Sequence, residues 1–346
     1  MNDPVRLALV GAGLIGHRHA DAIRAAEGVE LAAVVDPNPV GGSVARQHGT
    51  RSHVSLGELW RSGVHIDGVI VATPNQTHAE LALACIAQEL PVLVEKPLAD
   101  TLTNAERIWQ ASESTGVPVL VGHHRRYNGV MEKARELVDA GSLGRITNVQ
   151  STTWLFKPED YFEATWRRLS GAGPLSINLI HDVDALRYLC GEVASVQAMA
   201  SNAVRGFEVE DSAAIVLRFS NGALGTMSVS DTTVAPLSWE LTARENPAYP
   251  ATNESCYQIG GTHGSLSLPG LTLWTQSDER SWWHPISGTR LPVDSEDPLI
   301  RQIKHFAEVI RGNALPRVTA ADGVANQRVI QAITESSETR ATIELT

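Results

Sequence analysis

The sequence predicts an α/β fold with two domains: a doubly wound parallel sheet, then an α+β domain with a large, mainly antiparallel open sheet. Three observations carry this prediction. The chain has 346 residues, more than the roughly 250–300 that a single hydrophobic core usually organises. Its first 122 residues alternate short apolar runs with helical patterns, whereas the later part is richer in strands of alternating polarity. We expect the first domain over residues 1–123 and the second over residues 124–346.

The parallel sheet is predicted from five runs rich in valine, isoleucine, leucine and alanine. Continuous apolar runs separated by helices are typical of strands that are buried on both faces. A capping box, Thr103 with Glu106, precedes one intervening helix, and Gly116 ends that helix. The apolar runs cover residues 7–10, 31–35, 69–72, 92–94 and 117–121.

The second domain is predicted from strands and from helices with clear punctuation. Residues 212–219 and 223–230 are joined at Asn221 and Gly222, a two-residue hairpin signal. The first two helices of this part have proline near the start and glycine just past the end. The last one closes the chain and could pack back on the first domain. The predicted helices are about residues 174–189, 298–310 and 319–338.

Composition favours a cytoplasmic protein with small-molecule partners. The formal net charge is −11 and there is no lysine- or arginine-rich run, so the electrostatic footprint of a nucleic-acid or anionic-membrane binder is missing. No apolar stretch approaches the ~20 residues of a membrane span, and the N-terminus does not resemble a signal peptide. Cys85, Cys190 and Cys256 lack metal or disulfide spacing, so we expect core thiols and no metal site.

A glycine-rich turn predicts a dinucleotide site. Gly11, Gly13 and Gly16 follow the first strand and open a helix with Leu14 and Ile15 between them. This context is the one in which backbone N–H groups bind a pyrophosphate at a helix N-terminus. We expect Gly11 to allow the tight turn, Gly13 the approach of the pyrophosphate, and Gly16 the close packing of helix on strand.

Asp36 indicates which dinucleotide binds. It lies at the end of the second predicted strand, 20 residues past Gly16, where a carboxylate accepts the ribose 2′-hydroxyl and repels a 2′-phosphate. Pro37 and Asn38 supply no arginine for such a phosphate, so NAD is favoured over NADP. The alternative is that Asp36 merely starts a turn before Pro37.

Further motifs follow in a fixed order along the chain. Lys96 stands directly after a predicted strand, at the carboxyl edge where open α/β sheets bind ligands, and His181 lies on a predicted helix. With these motifs the whole chain resembles the glucose-fructose oxidoreductase, inositol dehydrogenase and MocA family. The motifs are the glycine turn, Asp36, Thr73-Pro74-Asn75 with His78, Glu95-Lys96-Pro97, and Gly171-Ala172-Gly173-Pro174-Leu175 before His181.

The resemblance implies a Rossmann domain, a C-terminal domain that carries the substrate pocket, and hydride transfer with a nicotinamide cofactor. By this resemblance Lys96 hydrogen-bonds the reacting oxygen and His181 is the acid/base group. Their chemistry agrees, because oxidation of a secondary alcohol needs a proton acceptor and a group that favours the developing alkoxide. The alternative for His181 is a core histidine bonded to backbone. The implied cofactor contacts are the glycine turn, Asp36, Thr73, Pro74, Asn75, His78, Glu95 and Lys96.

One departure from the family concerns the proton relay. Members commonly carry an aspartate four residues before the histidine, and Ile177 stands there in this chain. Asn178 is a polar neighbour at i−3, but it cannot act as a base. Asp182 is adjacent to His181 and turned about 100° around the helix. Asn178 and Asp182 are candidate substrate contacts, and local capping or pairing is the alternative for both.

Three more residues are candidates for the substrate pocket. Arg126 and Tyr127 follow the sixth strand, where the resemblance implies an arginine and an aromatic residue on the substrate side. A basic surface loop is the alternative for them. Trp166 precedes the second glycine-rich turn and could wall the pocket.

The sequence therefore favours an NAD-dependent oxidoreductase acting on a secondary alcohol or ketone of a sugar, sugar acid or cyclitol. A homo-oligomer, dimer or tetramer, is expected from the resemblance. Two alternatives remain open at this stage: a nonenzymatic, NAD-bound ligand sensor or regulatory protein, and redox-assisted glycoside hydrolysis or elimination.

Overall fold

A computed structural model describes residues 3–276, 279–293 and 296–345. The chain divides into two compact units. The first comprises residues up to Tyr127 together with residues 296–327, and the second comprises residues 128–295 and those from Arg328 onward. The sequence-based boundary after residue 123 stays a prediction, and the structural division differs from it by assigning residues 124–127 and 296–327 to the first unit.

The first unit contains a parallel sheet whose described strands run in the order β3-β2-β1-β4-β5-β6. Its first strand is buried on both faces: Leu7 and Leu9 pack in one apolar cluster and Ala8 and Val10 in another. The predicted doubly wound sheet is confirmed. The strands are β1 (Val5–Val10), β2 (Val29–Val35), β3 (Arg51–His53), β4 (Gly68–Val71), β5 (Val92–Val94) and β6 (Val119–Val121).

Strand β3 is missing from the five predicted runs. It has three residues, of which Arg51 and Ser52 are exposed, so it carries no apolar run. Its pairing with β2, which joins Val35 to His53, comes from the sheet and not from its own sequence.

Helices surround this sheet, and one predicted cap is wrong. The helix after β5 has Thr101 as its N-cap, whose Oγ1 accepts the backbone N–H of Asn104 at 3.2 Å. Thr103, predicted as the cap, lies inside the helix, because Thr101 offers an equivalent hydroxyl two residues earlier. Gly116 ends the helix with φ 73° as predicted. The helices are α1 (Leu14–Ala25), α2 (Pro39–Gln47), α3 (Leu56–Arg61), α4 (His78–Ile86) and α5 (Leu102–Thr115).

The second unit contains a mixed sheet, in the described order β14-β13-β12-β11-β7-β10-β9-β8-β15. All neighbouring pairs are antiparallel except β7 with β10. The predicted, mainly antiparallel sheet is confirmed. Its strands are β7 (Ile146–Trp154), β8 (Val193–Ser201), β9 (Ser212–Phe219), β10 (Leu224–Ser230), β11 (Tyr257–Gly261), β12 (Gly264–Leu268), β13 (Thr272–Thr275), β14 (Ser287–Arg290) and β15 (Ile343–Glu344).

One face of this sheet is covered and the other is open. Along β9, Ile215 and Leu217 are buried in a core cluster that also contains Val183 and Leu186. Residues of the opposite alternation are exposed, including Val216. The α-helices of this unit that precede β11 in the chain are α6 (Gly129–Asp139), α7 (Ile180–Cys190) and α8 (Trp239–Thr242).

Two C-terminal helices follow the second sheet's hairpins. Helix α9 (Pro298–Ile310) belongs to the first unit, where Ile303 and Phe306 join the apolar cluster of Leu7. Helix α10 (Ala320–Thr339) runs from the first unit into the second. All three cysteines are buried free thiols, as predicted. Within the described ranges, no helix combines the length and apolar character that a membrane crossing requires.

Candidate active site

The glycine turn has the geometry that a dinucleotide site needs. Gly11 has φ +94°, and a Cβ there would lie 2.5 Å from the carbonyl oxygen of Ala72. A Cβ on Gly16 would lie 2.1 Å from the carbonyl oxygen of Gly11, so helix α1 packs directly on the turn. Gly13 is exposed, and a Cβ there would meet no atom within 4 Å. The first N–H groups of α1 therefore begin at an open, unobstructed turn, beside the exposed Leu14 and the half-buried Ile15.

Asp36 is part of the same turn in three dimensions. Its Oδ2 accepts the backbone N–H of Ala12 at 2.8 Å, and its Oδ1 accepts that of Asn38 at 2.8 Å. A Cβ on Gly41 would lie 2.7 Å from the Asp36 Cβ. The carboxylate thus lies against the glycine turn, at the end of β2.

The segment after β4 is tied to the segment after β5 by His78. Its Nδ1 lies 2.9 Å from the carbonyl oxygen of Pro97, and its Nε2 lies 2.9 Å from that of Thr73. The ring is fully buried, whereas Pro74 and Asn75 are exposed. We infer that His78 orders the loop, and that Pro74 and Asn75 are the members of this motif that a ligand can reach.

Glu95 holds the backbone of Lys96. Its Oε2 accepts the Lys96 backbone N–H at 3.1 Å, and its Oε1 accepts a hydrogen bond from His19 Nε2 at 2.7 Å. Burial alone raises the pKa of Glu95, but the hydrogen bond and charge of His19, with His124 and Lys96 nearby, lower it to about 2. The carboxylate is therefore ionised at every working pH, and Lys96 itself is half-buried at the end of β5.

Arg126 and Tyr127 are buried within the first unit. Arg126 Nη2 lies 3.1 Å from Asp322 Oδ1, and the Tyr127 ring packs against His305 and beneath the guanidinium of Arg317. Only 5% of Arg126 and 1% of Tyr127 are exposed. Their role in substrate binding stays a prediction, and these contacts favour a structural role.

His181 lies in the first turn of α7, directly after a π-helical segment, Leu175–Leu179. The sequence predicts one continuous helix here, whereas the structure gives a wider, π-helical turn before α7. At the start of this segment Ile177 N–H donates to the Gly173 carbonyl, four residues earlier. Such π segments occur frequently at functional sites. Asn178 belongs to this segment, and its buried Oδ1 has no hydrogen-bond donor among the described residues.

The carboxylate of Asp182 is directed into the second unit. Asp182 is fully buried, its Oδ2 accepts from Thr153 Oγ1 at 2.9 Å, and its Oδ1 accepts from the hydroxyl of Tyr257. Both oxygens are thus engaged by protein donors, which favours the alternative of local pairing over substrate contact. Trp166 is 56% exposed, with the Arg167 guanidinium 5.3 Å from its ring centroid.

Comparison with known proteins decides the family. Residues 5–123 match the model of an oxidoreductase family with an NAD-binding Rossmann fold, and residues 131–267 match the GFO/IDH/MocA C-terminal domain. The 4-carboxy-2-hydroxymuconate-6-semialdehyde dehydrogenase of a Sphingobium species is 31% identical over 236 residues, 67% of this chain and 74% of that protein. The chain belongs to the GFO/IDH/MocA family.

Other comparisons agree with this assignment. The scyllo-inositol 2-dehydrogenase (NAD+) of Bacillus subtilis is 26% identical over an alignment of 365 residues, which covers 100% of this chain and 97% of that protein. A solved levoglucosan dehydrogenase, in complex with NADH and levoglucosan, has a TM-score of 0.82 at 22% identity and covers 99% of both chains. The structural similarity shows the same fold.

Membership of the GFO/IDH/MocA family confirms three predictions. The resemblance stated from the motifs is correct, the protein is an oxidoreductase, and its cofactor is NAD. The exposed Gly13 turn with Asp36 beside it fits that cofactor on structural grounds alone.

Two residues of this family member escape prediction from the sequence. His19 lies three positions past Gly16 on α1 and bonds Glu95; the sequence offers only an amphipathic helix there. Glu210 accepts the N–H of Leu175 at 3.0 Å, where the π segment begins. A Cβ on Gly173 would lie 2.1 Å from the Glu210 carboxylate, and the absence of a side chain in that glycine-rich turn is the one signal that something packs against it.

Proposed function

We propose that the protein transfers hydride between NAD and a secondary alcohol or ketone of a sugar, sugar acid or cyclitol. The observation that carries this proposal is the anchored Lys96, which follows β5 at the carboxyl edge of the same sheet as the glycine turn. Ligands of open α/β sheets bind at that edge. A relative that acts on scyllo-inositol and a neighbour solved with levoglucosan support polyol or sugar substrates.

The residues that hold the cofactor in this proposal lie on three loops of the first unit. The N–H groups at the start of α1 bind the pyrophosphate, and Asp36 accepts the ribose hydroxyl. Pro74 and Asn75, which are exposed, line the same edge. When bound, NAD supplies the hydride acceptor or donor.

Lys96 and His181 divide the remaining chemistry between them. The ammonium of Lys96 donates a hydrogen bond to the substrate oxygen and stabilises the charge that develops there as the hydride leaves. The imidazole of His181 takes the hydroxyl proton during oxidation and returns it during reduction. A proton transfer to a positioned side chain contributes typically 10²–10⁴-fold to such a rate.

The relay behind His181 differs from that of a member with a carboxylate one turn upstream. Ile177 brings no charge, and Asp182 already accepts hydrogen bonds from Thr153 and Tyr257. We propose that Asp182 fixes α7 in the second unit and that His181 works without a carboxylate one turn upstream. Asn178, whose Oδ1 has no donor among the described residues, then contacts the substrate by accepting a hydroxyl hydrogen bond.

The walls of the pocket are proposed from exposure. Trp166 is open to solvent and presents a flat apolar surface of the kind on which sugar rings pack. Arg126 and Tyr127 are buried by contacts of their own, so we assign them to the support of the loop after β6.

A homo-oligomer in the cytoplasm completes the proposal. Three apolar side chains on the open face of the second sheet support self-association, because Met199 is 75%, Val216 52% and Leu224 47% exposed. NADH formed by oxidation of the substrate must be re-oxidised by other enzymes, and this requirement supports a cytoplasmic location. Sedimentation of the purified protein tests the first statement, and fractionation of cells tests the second.

The test of the proposed reaction is NADH formation with a panel of inositols, aldoses, anhydro sugars and aldonic acids. We expect turnover with at least one member, measured as absorbance at 340 nm, and a loss of that turnover in Lys96→Ala. An NAD-bound sensor would bind one of these compounds, as measured by calorimetry, with no NADH release. Redox-assisted hydrolysis or elimination would instead consume substrate at catalytic NAD with no net NADH, and product analysis by mass spectrometry detects it.

A further inference from the structure

A buried hydrogen bond joins helix α1 to the segment that follows β5. His19 lies on α1, is fully buried, and places its Nε2 2.7 Å from Glu95 Oε1. The other oxygen of Glu95 accepts the backbone N–H of Lys96. The side chain of Glu95 therefore connects α1, the helix that begins at the glycine turn, with the backbone of Lys96.

The stability of the fold does not by itself account for a buried carboxylate at position 95. A carboxylate with 5% exposure carries a desolvation cost that an apolar side chain of similar size would avoid. The space around it is shaped for the carboxylate, because a Cβ on Gly122 would lie 2.9 Å from it. His19 Nδ1 has no hydrogen-bond partner in the described part of the chain, so the ring is directed toward Glu95 alone.

The charge of Glu95 is fixed by its neighbours. His19 from α1, His124 from the segment after β6, and Lys96 from its own strand end all favour the ionised carboxylate. An ionised acceptor makes hydrogen bonds of about twice the strength of a neutral one. The backbone N–H of Lys96 thus donates a charge-assisted hydrogen bond to the Glu95 carboxylate. That carboxylate accepts a second hydrogen bond from His19 on α1.

We propose that His19 and Glu95 form a positioning pair that aligns Lys96 with the reacting oxygen. The pair also links this alignment to the cofactor-binding site at the start of α1. The proposal rests on the proposed role of Lys96 in hydride transfer. His19 touches neither substrate nor cofactor in this proposal and acts only through Glu95. A displacement of a catalytic group by about 1 Å can cost on the order of 10²-fold in rate, so a lost anchor should be visible in turnover.

The experiment compares three variants with the intact protein. His19→Leu removes the donor and keeps the volume, His19→Gln restores a donor, and Glu95→Gln removes the charge at constant shape. Ile23→Ala is the matched control, because Ile23 is fully buried on the same helix, packs in an apolar cluster, and has a side chain that cannot donate a hydrogen bond to Glu95. Two quantities are measured: kcat for the best substrate, and the rate at which the Lys96 amine is acetylated, by peptide mass spectrometry.

We expect His19→Leu and Glu95→Gln to lower kcat by about 10-fold or more and to change the acetylation rate of Lys96 at least threefold. His19→Gln should recover most of both values. Ile23→Ala should lower thermal stability and change neither. If His19→Leu lowers stability as Ile23→Ala does while kcat and acetylation stay as in the intact protein, the pair is structural and the proposal is wrong. If His19→Leu does not fold, the same decision is taken on Glu95→Gln.

The acetylation measurement separates this proposal from the proposed function. If the intact protein oxidises no compound in the panel, but acetylation of Lys96 depends on His19 and not on Ile23, the pair positions Lys96 and the proposed reaction is at fault. Suppose instead that turnover is found and is lost in Lys96→Ala, while the His19 and Glu95 variants leave kcat and the acetylation rate of Lys96 unchanged. The proposed reaction is then supported and the positioning pair is refuted.

Discussion

The carboxylate of Asp36 accepts the backbone N–H of Ala12 at 2.8 Å. These residues are 24 positions apart, one at the end of β2 and the other inside the glycine turn. Asp36 therefore holds the turn in shape, and in the proposed function its carboxylate also lies where the ribose 2′-substituent binds.

We expect NAD to bind at least tenfold more tightly than NADP, a difference of about 1.4 kcal/mol. Asp36→Ala should narrow this gap and also weaken NAD binding, because the Ala12 anchor is lost. Asp36→Asn is the control that keeps an acceptor for Ala12 and removes the charge, so it should narrow the gap with a smaller loss of NAD affinity. Equal affinities of the intact protein for the two cofactors, measured by calorimetry, would contradict the role of Asp36.

Lys96→Ala should lower kcat by roughly 10²-fold or more, equivalent to about 2.7 kcal/mol of transition-state stabilisation. NADH affinity should stay nearly constant, because the ammonium acts on the reacting oxygen. Lys133→Ala serves as the control, since Lys133 is partly exposed and pairs with Glu136, three residues along the same helix. Full turnover in the Lys96 variant would show that Lys96 is no more than a surface charge. A parallel loss of NADH binding, measured by fluorescence titration, would show that Lys96 positions the cofactor.

Ile177→Asp should raise the pH at which the oxidation rate reaches half its maximum. The new carboxylate lies one turn from His181 and favours the protonated ring, which cannot accept the hydroxyl proton. Ile177→Asn is the uncharged control and should leave the midpoint unchanged. A profile that shifts equally in both variants, or in neither while they stay folded and active, would remove the proposed link between position 177 and His181. Persistence of the same profile in His181→Asn would remove His181 from the mechanism.

Glu210→Gln should change how stability depends on pH. Burial raises the pKa of Glu210 above its ordinary value of 4.5, against the opposing effects of the Leu175 N–H and the charge of Lys157. A raised carboxyl pKa means that the intact protein gains stability as pH falls from neutral through the folded-state pKa toward 4.5, and loses it as pH rises. The glutamine keeps an acceptor for Leu175 without a charge.

The variant should therefore unfold at a higher temperature than the intact protein near pH 7, and this difference should shrink as the pH approaches 4.5. Scanning calorimetry at several pH values measures it. A variant that is less stable near pH 7 would show that attraction to Lys157 outweighs the burial of Glu210.

Local features of this protein were accessible from its sequence because each depends on residues close in the chain. The hairpin at Asn221 and Gly222 and the bounds of α9 follow from turn, cap and periodicity signals. The glycine turn is an equally local signal, since Gly11 permits a positive φ and Gly16 a close packing contact that a side chain would exclude. Even here the cap of α5 required the structure, because Thr101 and Thr103 are chemically equivalent candidates.

The sequence by itself determined the two sheet types, the family and the identity of the cofactor, since these rest on patterns that survive without knowledge of packing. Only the tertiary structure decided how the site's carboxylates are used. Glu95 meets His19 across 76 positions and Asp182 meets Tyr257 across 75, and such pairs are set by strand register and helix packing, which no short-range signal encodes. The same carboxylate in a sequence can cap, pair or bind, and which donors reach it is fixed only when distant segments are brought into contact.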